Sequence, residues 1–151
     1  MAILLNGGQV AISDPNPSGP AATSNVKDVQ CKVVRLTSAN FATTAVNTLV
    51  AVLPADATIL NMQLLVKTQL AGGGITAATL NLGTSSGGTQ FASAVNAFGA
   101  AGANADVASL SNVMQLYQVP LGGDIQVFAG GTATTGNPTS GELFVTIYYV
   151  R

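Results

Sequence analysis

Gly141-Glu142-Leu143-Phe144-Val145-Thr146-Ile147-Tyr148-Tyr149-Val150-Arg151 is the stretch that decides the fold. Leu143, Val145, Ile147 and Tyr149 alternate with Phe144, Thr146, Tyr148 and Val150, and the β-branched and aromatic side chains favour an extended backbone with successive residues on opposite faces. Neither face of the run is polar, so it reads as a central strand with one face in the core and the other against a partner or a second layer. Left bare, such a Pro-free run would be an aggregation hazard, and Glu142 and Arg151 flank it as its charged gatekeepers.

The same period of two recurs upstream. Leu60, Met62, Leu64 and Val66 alternate with Asn61, Gln63, Leu65 and Lys67, and further strands are expected over Val26–Leu36, Thr48–Leu53, Ala78–Leu82, Leu116–Val119 and Ile125–Ala129. Turn chemistry bounds them: Pro54-Ala55-Asp56 suits a tight turn with Pro in second place, Gly72-Gly73-Gly74 a hairpin loop, Gly122-Gly123-Asp124 a short reversal, and Gly130-Gly131 through Ser140-Gly141 a Thr/Gly/Pro loop. The connection Ala92–Val113, rich in Ala, Asn, Ser and Gly, is too poor in large apolar residues for a core helix and is expected to hold at most a short helical turn. Seven or more short strands so spaced predict an all-β antiparallel β-sandwich, jelly-roll-like, over residues 26–151.

The N-terminus reads as a separate arm over residues 1–25. Ile3–Leu5 and Gln9–Ile12 flank Asn6-Gly7-Gly8, a short-range hairpin signal, and the three prolines Pro15, Pro17 and Pro20 make an extended spacer. The alternative is that the hairpin completes the main sheet, because a two-stranded ribbon is marginal alone. Met1–Leu5 is apolar but lacks the basic start of a secretion signal, and Pro54 and Asp56 break the other long apolar stretch, so neither export nor a transmembrane helix is expected.

Charge narrows function. Of 151 residues only 5 are Lys or Arg and 6 Asp or Glu, with a formal net charge of −1 and no His or Trp; roughly a quarter of an average soluble domain is charged. No ionisable side chain stands between Thr68 and Ala105. A surface of small neutral polar residues supplies little mutual repulsion and suits a subunit covered by neighbours.

Catalytic and metal motifs fail on inspection. Gly83-Thr84-Ser85-Ser86-Gly87 fits the nucleophile-elbow pattern, but the chain has no histidine to serve as base, and a Gly/Ser turn is the better reading. Asp14–Gly19 resembles the opening of a calcium loop, yet its twelfth position is Asn25 and not a bidentate Glu. The triple glycine at 72–74 lacks the P-loop lysine, and Thr139-Ser140-Gly141-Glu142 matches a helix capping box but runs into a strand. Lys27, Lys32 and Arg35 are the local cations, too few for a phosphate backbone, with Lys27 and Arg35 on one face of a strand and Lys32 on the other. The single Cys31 is expected to be a small buried hydrophobe. No enzyme, cofactor, metal, nucleic acid or membrane is implied.

Three phrases carry a family resemblance: Val52-Leu53-Pro54-Ala55-Asp56-Ala57-Thr58-Ile59-Leu60, Ala78-Thr79-Leu80-Asn81-Leu82-Gly83-Thr84, and Gly141–Val150. Over about residues 48–151 the chain resembles small structural proteins of tailed bacteriophages, especially capsid decoration or cement proteins. That resemblance implies a β-sandwich or jelly-roll, often trimeric, on the outside of the head and in contact with the major capsid protein, hence a virion location after assembly in the host cytoplasm. The expected attachment residues are Ile3, Leu4, Leu5, Pro15, Pro17, Pro20 and Lys27, and the expected homotrimer interface holds Phe144, Tyr148 and Val150. The rival reading is a receptor- or glycan-binding head of a fibre, which would gather aromatic residues around a pocket.

Overall fold

In the computed structural model the described residues are 28–106 and 123–151, together with the backbone of two short N-terminal strands at residues 4–6 and 9–11. These two, β1 (Leu4–Asn6) and β2 (Gln9–Ala11), pair antiparallel with Asn6 opposite Gln9 and only Gly7-Gly8 between them. They form a two-stranded sheet of their own. Among the described residues the remaining strands are β3 (Gln30–Thr37), β4 (Phe41–Ala42), β5 (Val46–Leu53), β6 (Thr58–Ala71), β7 (Ala77–Gly83), β8 (Ala92–Asn96), β9 (Asn104–Asp106), β10 (Ile125–Thr134) and β11 (Ser140–Val150).

They make an all-β sandwich. One sheet has the order β3-β11-β6-β9; in the other, β10 is flanked on one side by β7 and then β8, and pairs as well with β4 and β5. The pairs are antiparallel save β4 with β10, where Gly131 lies opposite Phe41 in parallel register. Each sheet buries alternate side chains against the other. Leu36 and Val34 of β3, Met62, Leu64 and Val66 of β6, and Leu143, Val145 and Ile147 of β11 meet Leu53 of β5, Leu80 and Leu82 of β7, and Val127 and Ala129 of β10 in one cluster. Each of the larger of these side chains, Ala129 apart, is worth about 1.5–3 kcal/mol in water exclusion. β11 is the central strand that its period predicts: Leu143, Val145 and Ile147 are fully buried, and it pairs with β3 and β6 on its two sides.

Several expectations are corrected. Ile59 and not Leu60 faces the core, because β6 carries a bulge where Tyr148 opposes Asn61 but Tyr149 opposes Ile59; Leu60 is left exposed. β10 runs on through Gly130-Gly131 to Thr134 where a loop was expected. The glycines mark close approach: a Cβ on Gly131 would lie 2.1 Å from the Asn40 carbonyl oxygen, and one on Gly130 2.6 Å from Asn47 Oδ1. Over residues 92–106 the connection after Phe91 holds strands β8 and β9, where a loop with at most a helical turn was expected; its remainder, 107–113, lies outside the described residues. Pro54 occupies the first and not the second position of its turn, since Ala57 N–H donates to the Pro54 carbonyl at 2.9 Å. Cys31 is exposed, since it lies on the outward side of the edge strand β3, in register with Tyr148. The strand expected at Leu116–Val119 and the start of that expected from Val26 lie outside the described residues.

The loops at one end of the sandwich interlock. The β6–β7 and β10–β11 connections, each crossing from one sheet to the other, press backbone to backbone, so that a Cβ on Gly136 would sit 1.8 Å from the Gly73 carbonyl oxygen. Asn137 Oδ1 accepts the Thr43 N–H at 2.9 Å, and Thr135, held at φ 69°, donates its hydroxyl to the Gly74 carbonyl at 2.7 Å.

Candidate functional site

The two sheets differ in charge. β4, β5, β7, β8 and β10 contain no Asp, Glu, Lys or Arg, whereas β3, β6, β9 and β11 carry Lys32, Arg35, Lys67, Asp106 and Glu142. The five-stranded sheet instead presents neutral hydrogen-bonding groups: Gln126 and Asn96 are exposed and Thr79, Asn81 and Thr132 half-buried. Some of these amides are already engaged, Asn81 Oδ1 by the Ala94 N–H at 2.7 Å and Asn47 Oδ1 by the Gly87 N–H at 3.1 Å.

The outer face of the four-stranded sheet is the stronger candidate for contact. Register places Arg35, Phe144 and Leu65 in one cross-strand row, Val33, Thr146 and Gln63 in the next, and Cys31, Tyr148 and Asn61 in a third. Val33 is 56% and Leu65 40% exposed, and Phe144, Tyr148 and Val150 are half-buried, so these apolar groups share one surface. The expected interface residues Phe144, Tyr148 and Val150 lie on this face, and strand register sets Val33 and Leu65, which the sequence did not single out, beside them. Of the tyrosine pair, Tyr149 turns inward against the core, while the Tyr148 hydroxyl donates to Gln63 Oε1 at 3.3 Å.

One end of this face is ionic. Glu142 accepts from Arg35 Nε and from Lys67 Nζ, the latter at 3.0 Å, and Lys67 Nζ lies 5.5 Å from the Phe144 ring centroid. The Lys67 ammonium, and then the Arg35 guanidinium, hold the Glu142 carboxyl below the usual carboxylate range. A carboxylate already shared by two cations is a fixed counter-ion and a poor proton shuttle.

The other motifs resolve simply. Gly83–Gly87 is a strand end and turn, with Gly88 N–H donating to the Ser85 carbonyl at 2.9 Å, and the triple glycine at 72–74, expected as a hairpin loop, instead lies in the β6–β7 connection that crosses from one sheet to the other, since β6 and β7 do not pair. Among the described residues no group of three or more His, Cys, Asp or Glu could hold a metal ion. A shallow depression is lined, among the described residues, by Thr84, Gly123, Asp124, Ile125 and Gln126, none of them aromatic. Of the expected attachment residues, Ile3, Pro15, Pro17, Pro20 and Lys27 lie outside the described residues, and Leu4 and Leu5 fall in β1, described as backbone alone.

No family model and no curated protein matches the sequence. Two solved structures share the fold. A chain in the capsid asymmetric unit of cyanophage Pam1 superposes with a TM-score of 0.57 at 22% identity, covering 89% of this chain and 99% of that one. A chain in the capsid of Ralstonia phage GP4 does so with a TM-score of 0.54 at 20% identity, covering 82% and 84%. At these identities the likeness is one of fold.

Proposed function

We propose that this chain is a structural protein of a phage virion, a decoration or cement subunit that binds the outer surface of the head and stabilises it. The observation that carries the reading is the comparison with the Pam1 capsid, in which a chain shares this fold over 99% of its length. The charge-poor surface supports it, because a repeated subunit hemmed in by neighbours gains from burying neutral and apolar area and little from surface charge. On this reading the partners are the major capsid protein and further copies of the chain. The homotrimer is built through the outer face of the four-stranded sheet at Phe144, Tyr148 and Val150. The arm, with Ile3, Leu4, Leu5, Pro15, Pro17, Pro20 and Lys27, adds attachment to the shell. Every contact made only in the assembled shell stabilises that shell by mass action. No catalytic step, cofactor, nucleic acid or membrane enters the mechanism.

Imaging virions that carry a labelled copy of the chain tests the assignment. Label distributed over the head at many copies is the expected result; label confined to the tail, or absent from virions, would overturn it.

A further inference from the structure

A wet protein surface is ordinarily charged, because charge holds solvent and keeps copies apart. The two ends of this sandwich differ in that respect. At one end Asp56 lies in the turn after β5, Asp124 just ahead of β10, Asp28 ahead of β3 and Arg151 after β11, and all four are exposed. Register gathers them: Ile125 is opposite Leu53, Gln30 opposite Tyr149, and Thr58 opposite Val150.

At the other end the connections 38–45, 72–76, 97–103 and 135–139 contain no Asp, Glu, Lys or Arg. They meet there, since the Thr43 N–H donates to Asn137 Oδ1, Gly73 abuts Gly136, and Gln69 Nε2 donates to the Phe98 carbonyl at 3.5 Å. The charges on the neighbouring strands, Arg35, Lys67 and Glu142, are engaged with one another.

Loops are ordinarily the mobile part of a fold, yet these are locked together. The Ala71 carbonyl accepts the Thr139 N–H at 2.9 Å, the Thr135 hydroxyl reaches the Gly74 carbonyl and lies 3.1 Å from the Thr76 hydroxyl, and a Cβ on Gly72 or Gly73 would overlap Thr139 or Asn137. Thr135 is held at φ 69°, where a β-branched residue is strained, and such strain persists only where the surroundings over-determine it. A locked surface of hydroxyls, peptide groups and small side chains loses little conformational freedom on contact and gives up no hydrated charge when it is dried.

We propose that this uncharged end is the surface by which the chain seats on the shell, with the charged end turned to solvent. The partner it fits is a capsid-protein surface of neutral hydrogen-bonding and small apolar groups, since a buried charge on the partner would find no counter-ion in these connections. The proposal rests on the virion reading and adds to it which end of the subunit is covered.

Charge added at either end of the full-length chain tests it. T44E/A77E adds two carboxylates at exposed positions of the uncharged end, and A55E/G123E adds two beside Asp56 and Asp124 at the charged end. Melting temperature, sedimentation and binding to shells stripped of the chain are measured at physiological ionic strength, where long-range repulsion is screened. Both variants should melt and self-associate as wild type; A55E/G123E should bind shells as wild type, and T44E/A77E at least ~10-fold more weakly, because its added charges must be dehydrated in the contact. Wild-type binding by T44E/A77E, equal loss of binding by the two variants, or loss of self-association in place of shell binding would each overturn the proposal and leave the virion reading standing. A wild-type chain that does not bind shells would overturn that reading, and the proposal with it. Should T44E/A77E melt well below wild type, hydrogen exchange on the wild-type chain decides: exchange slowed on shells over residues 71–77 and 134–140 is expected, and exchange there unchanged by binding overturns the proposal.

Discussion

Neighbouring residues on β11 should respond in opposite ways to truncation. Ile147 is fully buried, and Ile147→Ala removes three carbons, worth about 2.4 kcal/mol at 0.8 per methylene. The unfilled cavity raises the loss to about 3–4 kcal/mol, within the range for such core changes. For a chain of this size each kcal/mol moves Tm by roughly 2–4 °C, so a drop of roughly 6–16 °C is expected. Tyr148 faces outward and its hydroxyl bond to Gln63 is long, at 3.3 Å. Tyr148→Thr keeps a strand-forming side chain and loses only cross-strand contact, about 1 kcal/mol or less. Self-association, in contrast, should fall for Tyr148→Thr. The assay is urea unfolding followed by circular dichroism at a concentration low enough to keep the chain monomeric, because association would otherwise enter the apparent stability, with sedimentation equilibrium at higher concentration. Equal destabilisation by the two substitutions, or a loss below about 1 kcal/mol for Ile147→Ala, would refute the assignment of one face to the core and the other to a partner.

Gly136→Ala should cost about 1–3 kcal/mol as an overpacking change, because its Cβ would meet the Gly73 carbonyl at 1.8 Å, whereas Gly123→Ala, with open space around it, should be neutral in the same melt. Glu142 ionises below the usual carboxylate range because of Lys67 and then Arg35, so its contribution is present above the ordinary carboxylate pKa and is lost as pH falls through the lowered one. Glu142→Gln should accordingly flatten the acid limb of stability against pH, slightly, because Arg35 and Lys67 are largely exposed. Cys31 should react with a maleimide at one equivalent in the native monomer; no labelling until denaturant is added would contradict its exposure.

How legible the fold was varied with the source of each constraint. The strand Leu143–Val150 was plain because side-chain alternation there is local and reflects burial on one face. Leu60 was misplaced because its bulge is set by the register against β11, a long-range property. Gly130-Gly131 read as a turn, whereas the glycines are there because Asn47 and the Asn40–Phe41 backbone come close. β8 and β9 escaped notice since Ala, Ser and Asn have little strand preference and those segments pair mainly through the backbone. Exposure of Cys31 follows from β3 being an edge strand, which no local pattern declares. Of the candidate site, Phe144, Tyr148 and Val150 were legible, while Val33 and Leu65 needed cross-strand register.

The central claim, that this chain reinforces a phage head through a largely uncharged contact, is tested most directly on shells stripped of it. Purified chain is added back at 50 and 200 mM salt, and both bound copies and the temperature of shell rupture are measured. The account predicts saturable binding, a higher rupture temperature, and affinity little changed by salt, because apolar burial and neutral hydrogen bonds are weakly screened. Absence of binding, or binding without any gain in rupture temperature, would contradict it, and an affinity loss on the order of 10³-fold across that salt range would mark a polyanion contact instead.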